Sequence, residues 1–234
     1  MPLGRPVSPA PPHATHPTAT EAAINRIRVG AAAFAAAAVM FVLYPALRPW
    51  HDESTAAGAL AAMSAATWVP AHTFAMIGFI LVPLGLLALA QAVAGTGSGR
   101  VAGTAFVTSA IGAGLVLPYY GAEAFGLHAI AVHAAANPQI DLLALADQVR
   151  YDPVAISTFG VGLLALGIGA ALAAVAVWRS GLLPRLSAVP FALGFLLFLP
   201  QFFTPAAVRI GHGVLVGAGL LWLAVALWRT APDR

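Results

Sequence analysis

The chain has 234 residues, of which 60% are hydrophobic and 8% charged, against about 25% charged in an ordinary soluble domain. That shortage of surface charge excludes a water-soluble enzyme, and the absence of cysteine and lysine excludes thiol catalysis, disulfides, cysteine-ligated metals, Schiff bases and the lysine of a P-loop. The net charge of +3 rests on arginines scattered singly, which excludes the basic stripe of a nucleic-acid binder.

Residues 1–24 (MPLGRPVSPAPPHATHPTATEAAI) are rich in Pro, Ala and Thr and lack an apolar period, which predicts a disordered cytoplasmic tail. The first apolar run opens only at Val29, too far from the first basic residue for a secretory signal, and reads as a retained membrane anchor. Beyond it the charges delimit the spans, because a charged side chain at the bilayer centre costs at least ~2.5 kcal/mol. About 20 apolar residues cross the hydrocarbon. The fold class that follows is all-α: a polytopic bundle of six transmembrane helices near 29–47, 70–94, 101–121, 153–178, 187–203 and 207–228, within a domain over 25–230. In the long uncharged stretch from Ser54 to Gly99, the weakly hydrophobic STAAGALAAMSAATW is left outside the second span. GTGSGR (95–100) lacks the preceding strand that a nucleotide loop needs and reads as a turn.

Segment 122–150, between the third and fourth spans, is read as an extracytoplasmic helical insertion lying on the bundle. It carries His128, His133 and an Asn-Pro pair, while Ile140, Leu142, Leu143, Leu145 and Val149 give it an apolar side. Asn137-Pro138 should break it in two. With both termini cytoplasmic, eight arginines fall inside (Arg5, Arg26, Arg28, Arg100, Arg179, Arg185, Arg229, Arg234) and only Arg48, Arg150 and Arg209 outside, which sets the orientation in a plasma membrane. An internal echo accompanies this layout. AVAVWRS (174–180) matches AVALWRT (224–230), and Gly112 to Pro118 repeats the spacing of Gly194 to Pro200, as duplicated helical hairpins would.

The candidate site gathers at the outer helix ends. Ionisable groups in or near spans are costly in lipid and mark functional sites. His72 and His212 lie a few residues inside their spans among small neighbours. Tyr119, Tyr120 and Glu123 follow the third span, His128 follows them, and Arg209 opens the sixth. Glu123 is the candidate general acid, since a carboxyl at an apolar boundary is poised for proton transfer. His72, Tyr119, Tyr120, His128, Arg209 and His212 are the candidate ligand-binding set. Glu123 and Arg209 sit at similar depth and are expected to pair. His51, Asp52, Glu53, Arg150 and Asp152 read as interfacial residues. Trp178 and Trp228, each followed by Arg, read as the cytoplasmic aromatic belt. Glu123, His128 and His133 are five residues apart, which turns a helix by about 140°, so no metal site is expected from them.

No G-x-S-x-G, HExxH, acidic metal–diphosphate motif or dinucleotide fingerprint occurs. The pattern predicts an integral plasma-membrane protein, bacterial by its Ala-rich and lysine-free composition, whose outer His/Glu/Arg pocket binds or passes a small ligand, lipid or proton. Two alternatives share these residues: an acid–base enzyme in which Glu123 protonates a lipid or isoprenoid, and a b-type haem protein using His72 and His212. Enzymatic activity and cofactor are left open; the lipid bilayer is the expected partner, and nucleic acid is not.

Overall fold

The computed structural model describes residues 18–231, all-helical within that range and without a strand among the described residues. Thr18 caps α1 (Ala19–Leu47): its Oγ1 accepts the Glu21 N–H at 3.2 Å while the Glu21 carboxylate accepts the Thr18 N–H at 2.8 Å. This Thr-x-x-Glu capping box starts the helix inside the segment expected to be tail, correcting that expectation for 19–24; residues 1–17 lie outside the described part. There follow α2 (Ala56–Met63), α3 (Trp68–Ala92), α4 (Gly99–Gly121), a π-helical turn (Ala122–Leu127), α5 (His128–Ala136) and α6 (Leu142–Arg150). The chain ends with α7 (Pro153–Ser180), α8 (Val189–Leu196), α9 (Phe198–Gln201) and α10 (Ala206–Trp228).

Among the described residues five helical runs are long and apolar enough to cross a membrane, the architecture of a multi-pass membrane protein: Thr20–Leu47, Trp68–Ala92, Gly99–Ala136, Pro153–Ser180 and Ala206–Trp228. The stretch expected as a span at 187–203 is shorter and bent. There α8 stops at Leu196, four residues before Pro200, which has no N–H for the Leu196 carbonyl and whose ring crowds it.

Six helices close a ring in the order α1, α3, α4, α7, α8, α10 and back to α1. Its interior is aromatic. Phe41 meets Phe79, Phe195 and Phe198 at centroid distances of 5.1, 5.6 and 5.7 Å, each edge to face, the geometry that the ring quadrupole favours. Small residues set the approach of the backbones, as in membrane bundles generally. A Cβ on Gly213 would stand 2.7 Å from the Phe41 carbonyl, and one on Gly217 3.0 Å from that of Ala38, so α10 lies directly on α1. The echo in the sequence continues into the packing. Gly112 backs onto Gly162 and Leu166 of α7, while Gly194 backs onto Val216 of α10 and its carbonyl accepts a bond from His212. Positions 162 and 166 relate to 212 and 216 by the same offset that relates Trp178 to Trp228.

At the end of the ring away from the chain termini, α2, the π turn, α5 and α6 form a cap with its own small core, including Ala59, Met63, Trp68, Leu127, Ala131 and Leu142. Residues 122–150 are thus helical, and α5 ends at Ala136 before Asn137-Pro138, where the break is expected. Asp141 restarts the chain by accepting the Ala144 N–H at 3.0 Å. Hydrophobicity leaves α2 unassigned because its 8 residues are too few for a span; Ala59, Ala62 and Met63 bury one side of it against the cap. From Gly99 to Ala136 the chain is one run of 38 residues, about 57 Å at 1.5 Å per residue and well beyond the ~30 Å of hydrocarbon. Its last turns therefore rise out of the ring to carry the cap.

Candidate functional site

The site lies where the ring meets the cap, and prolines begin its construction. Pro49 has no N–H for the Pro45 carbonyl, so the Trp50 indole N–H takes that acceptor at 2.8 Å and folds back over the end of α1. The Arg48 guanidinium then lies 4.6 Å from the Trp50 centroid and 5.0 Å from that of Trp68, within cation–π range. On α4, Pro118 precedes the π turn, and the Glu123 carbonyl in that turn accepts the Trp68 indole N–H at 2.8 Å. The turn thereby aims the Glu123 side chain inward, where it is buried.

Four charged side chains form one chain of ion pairs. Arg48 bonds Glu53 Oε1 at 2.5 Å, Arg150 Nη2 bonds Glu53 Oε2 at 2.8 Å, and Arg150 holds Glu123 twice, through Nε at 2.6 Å and Nη2 at 2.9 Å. Burial by itself pushes the Glu53 carboxyl up, but the charges of Arg48 and Arg150 outweigh it and hold Glu53 below its ordinary value. Burial likewise pushes Arg150 down, and its bonds to Glu123, with the charge of Glu53, overcome this and raise it. Asp52, on the surface, is lowered by the Ser54 hydroxyl and amide.

The expected Glu123–Arg209 pair is not formed. Arg150, at the end of α6, takes both oxygens of Glu123. Arg209 instead donates from Nε to the Gln201 carbonyl at 3.2 Å and from Nη2 to the Phe202 carbonyl. The reason is the cap: Asn137-Pro138 turns the chain so that α6 ends directly over the π turn, and Arg150 arrives first. Reading Glu53 and Arg150 as interfacial residues is corrected by the same network, in which both are half-buried. No periodicity connects Glu53 with Arg150, 97 residues apart, so sequence carries no signal for the pair.

The other candidate residues divide into four groups. Tyr119 stacks on Phe159 at 4.2 Å and donates its hydroxyl to the Arg150 carbonyl at 3.3 Å, which supports the ion network. His72 donates from Nδ1 to the Trp68 carbonyl at 2.7 Å and lies among Trp68, Tyr44 and Tyr120. His128 donates from Nδ1 to the Met63 carbonyl at 2.7 Å and so ties α5 to α2. Arg209 and His212 line a water-sized cavity of about 20 Å³, together with Tyr44, Trp50 and Gln201 and walls that include Phe41 and Phe198. Of these liners, Tyr44 and Trp50 lie outside the set legible in sequence, since an isolated aromatic at a helix end reads as belt.

The His72 and His212 arrangement does not fit a haem. His212 spends Nε2 on the Gly194 carbonyl at 2.7 Å and stands edge-on to Phe198 at 4.9 Å, whereas His72 contacts a different set of rings. A water-sized cavity has no room for a macrocycle. Among the described residues no group of three or more His, Asp or Glu comes together to hold a metal ion.

The ion network makes stability pH-dependent in a definite direction. A carboxylate whose folded pKa is depressed contributes stability above its unfolded value and loses it as pH falls through the folded one. The midpoint of thermal unfolding in detergent is therefore expected to drop on acidification below the ordinary Glu value of 4.5, and Glu53→Gln should flatten that drop. An acid loss of the same size in the variant would show that Glu53 does not contribute to it.

No protein-family model matches the chain, and neither a curated protein nor a solved structure matches it.

Proposed function

We propose that the chain is a six-segment protein of a bacterial plasma membrane, with both termini cytoplasmic and the cap outside, whose cap-end pocket binds or passes a small ligand, lipid or proton. α8 and α9 make the fifth segment in chain order, entering the membrane without the length of a full span. The arginine split supports the orientation, because Arg48, Arg150 and Arg209, the three that would lie outside, are the three engaged at the capped end. The observation that carries the pocket is Arg209, a half-buried guanidinium on a cavity wall whose partners among the described residues are two carbonyl oxygens and the rings of Trp50 and Phe202, with no carboxylate. Binding is favoured over acid–base chemistry, because both Glu123 oxygens are engaged by Arg150, which ties that side chain into the ion network.

The chain has no cysteine, so single cysteines report cleanly. Phe202→Cys, at a half-buried position on the cavity wall, is expected to react with a small membrane-impermeant thiosulfonate added to intact cells, whereas Thr96→Cys and Ser180→Cys should react only after permeabilisation. Reaction of position 96 or 180 from outside would overturn the orientation, and an inert position 202 would overturn the pocket.

A further inference from the structure

The cavity beside Arg209 has no counter-charge of its own. Two carboxylates, Glu53 and Glu123, are shared between Arg48 and Arg150. Of the other acids on the capped side, Asp52 binds Ser54, Asp141 caps α6, Asp152 caps α7 and Asp147 is exposed on α6, and none of them lines the cavity. Arg209 has no carboxylate within ion-pair distance among the described residues, and its Nη1 has no partner there either. Its guanidinium lies 5.4 Å from the Trp50 centroid, and that of Arg48 lies 4.6 Å from the same ring, so two cations stand within about 10 Å of each other beside one small cavity. No acid lines that cavity; its other polar groups are the hydroxyl of Tyr44, the amide of Gln201, the indole of Trp50 and the His212 ring. A half-buried charge without a counter-charge is expensive, and carbonyl dipoles offset only part of the cost.

We infer that the cavity is an anion site in which Arg209 receives one oxygen of a phosphate group. This inference rests on the pocket reading above. The volume sets how much of the ligand enters: about 20 Å³ accepts a single oxygen, not a whole phosphate, so the remainder stays at the mouth. Phe203, 86% exposed, and the exposed Val208 are the chain neighbours of the cavity liners Phe202 and Arg209, which suits a phosphate carried on a lipid, while a free phosphate ion offers Arg209 the same oxygen. Guanidinium is the group that holds such oxygens most strongly, through charge-assisted bonds.

The test uses the full chain carrying Phe202→Cys, at a half-buried position on the cavity wall, in maltoside micelles, which contain no phosphate, with a neutral thiosulfonate as reagent. One arm adds inorganic phosphate at constant ionic strength. The other adds phosphatidylglycerol to the micelle, with diacylglycerol as the phosphate-free control. Modification of the Phe202→Cys thiol is expected to slow by about tenfold in at least one arm at a ligand concentration roughly ten times its Kd, and the arm that protects identifies the source. Arg209→Gln should abolish the protection and Arg209→Lys should weaken it, so a glutamine variant that fails to fold leaves the lysine variant to decide. Unchanged rates in both arms, equal protection by diacylglycerol and phosphatidylglycerol, or undiminished protection in the Arg209 variants would overturn the anion site. In each of those cases a reactive position 202 leaves the pocket reading standing, whereas an inert position 202 in plain micelles overturns both.

Discussion

Replacing Arg150 by glutamine is expected to destabilise the protein by about 3 to 5 kcal/mol, the cost of removing one partner from a buried ion pair. Glu123 would lose both of its bonds, and Glu53 would keep only Arg48. The side chains are 18% exposed for Arg150 and 11% for Glu123, so water cannot replace what is lost. The effect should reach beyond one contact, because the pairs join the end of α1, the linker to α2, the π turn and the end of α6. Pairing Arg150→Gln with Glu123→Gln removes the stranded carboxylate as well, and the double variant should be less destabilised than the sum of the single changes by more than ~1 kcal/mol. Thermal or denaturant unfolding in detergent measures each variant. Additive losses would refute the pair. The same cycle on Glu123 and Arg209 should be additive, since these two bind different partners.

A single methyl group at Gly112 is expected to cost about 1 to 3 kcal/mol, the range for overpacking a close-packed interior. A Cβ there would stand 2.7 Å from the Gly162 carbonyl oxygen and 2.8 Å from the Leu166 nitrogen, both backbone atoms of α7. A side-chain end can rotate away, but a neighbouring helix can yield only by moving as a body. The related position on α8 distinguishes these cases: a Cβ on Gly194 would meet first the Cγ2 of Val216, at 2.7 Å, so Gly194→Ala should cost less than Gly112→Ala. Gly114, on the same helix as Gly112, faces open space, and its alanine variant should be neutral or slightly stabilising. Equal unfolding midpoints for Gly112→Ala and Gly114→Ala would show that α4 and α7 are not in the contact described.

The same glycines show where reading the residues alone reaches its limit. Gly112 and Gly194 stand out as a repeat in the sequence, but only the packing shows that one meets backbone and the other a side chain. Trp68 and His128 each lock a cap element by bonding a carbonyl far along the chain, Glu123 and Met63 respectively. Neither bond follows from a motif, because a carbonyl exists at every position and its availability depends on local helix geometry. The π turn supplies one such acceptor, and the end of α2 supplies the other.

Helices long and apolar enough to span a membrane, the helix break at Asn137-Pro138 and the placing of polar residues near helix ends were legible in the amino-acid sequence. They follow from hydrophobicity and charge, which accumulate residue by residue, and from the local stereochemistry of proline. The start of α1 was equally local, written in Thr18 and Glu21, although composition alone pointed to tail. Tertiary structure decided the rest: α2 as part of the cap, α8 and α9 as a bent segment, Arg150 as the partner of Glu123, and Arg209 left facing a cavity with Trp50 and His212. Arg150 and Arg209 have the same charge and lie at the same end of the bundle, so nothing local tells them apart. Which one reaches Glu123 depends on where a π turn and a broken helix place their side chains in space, and ion pairing is decided at distances of a few ångströms that no position along the chain encodes.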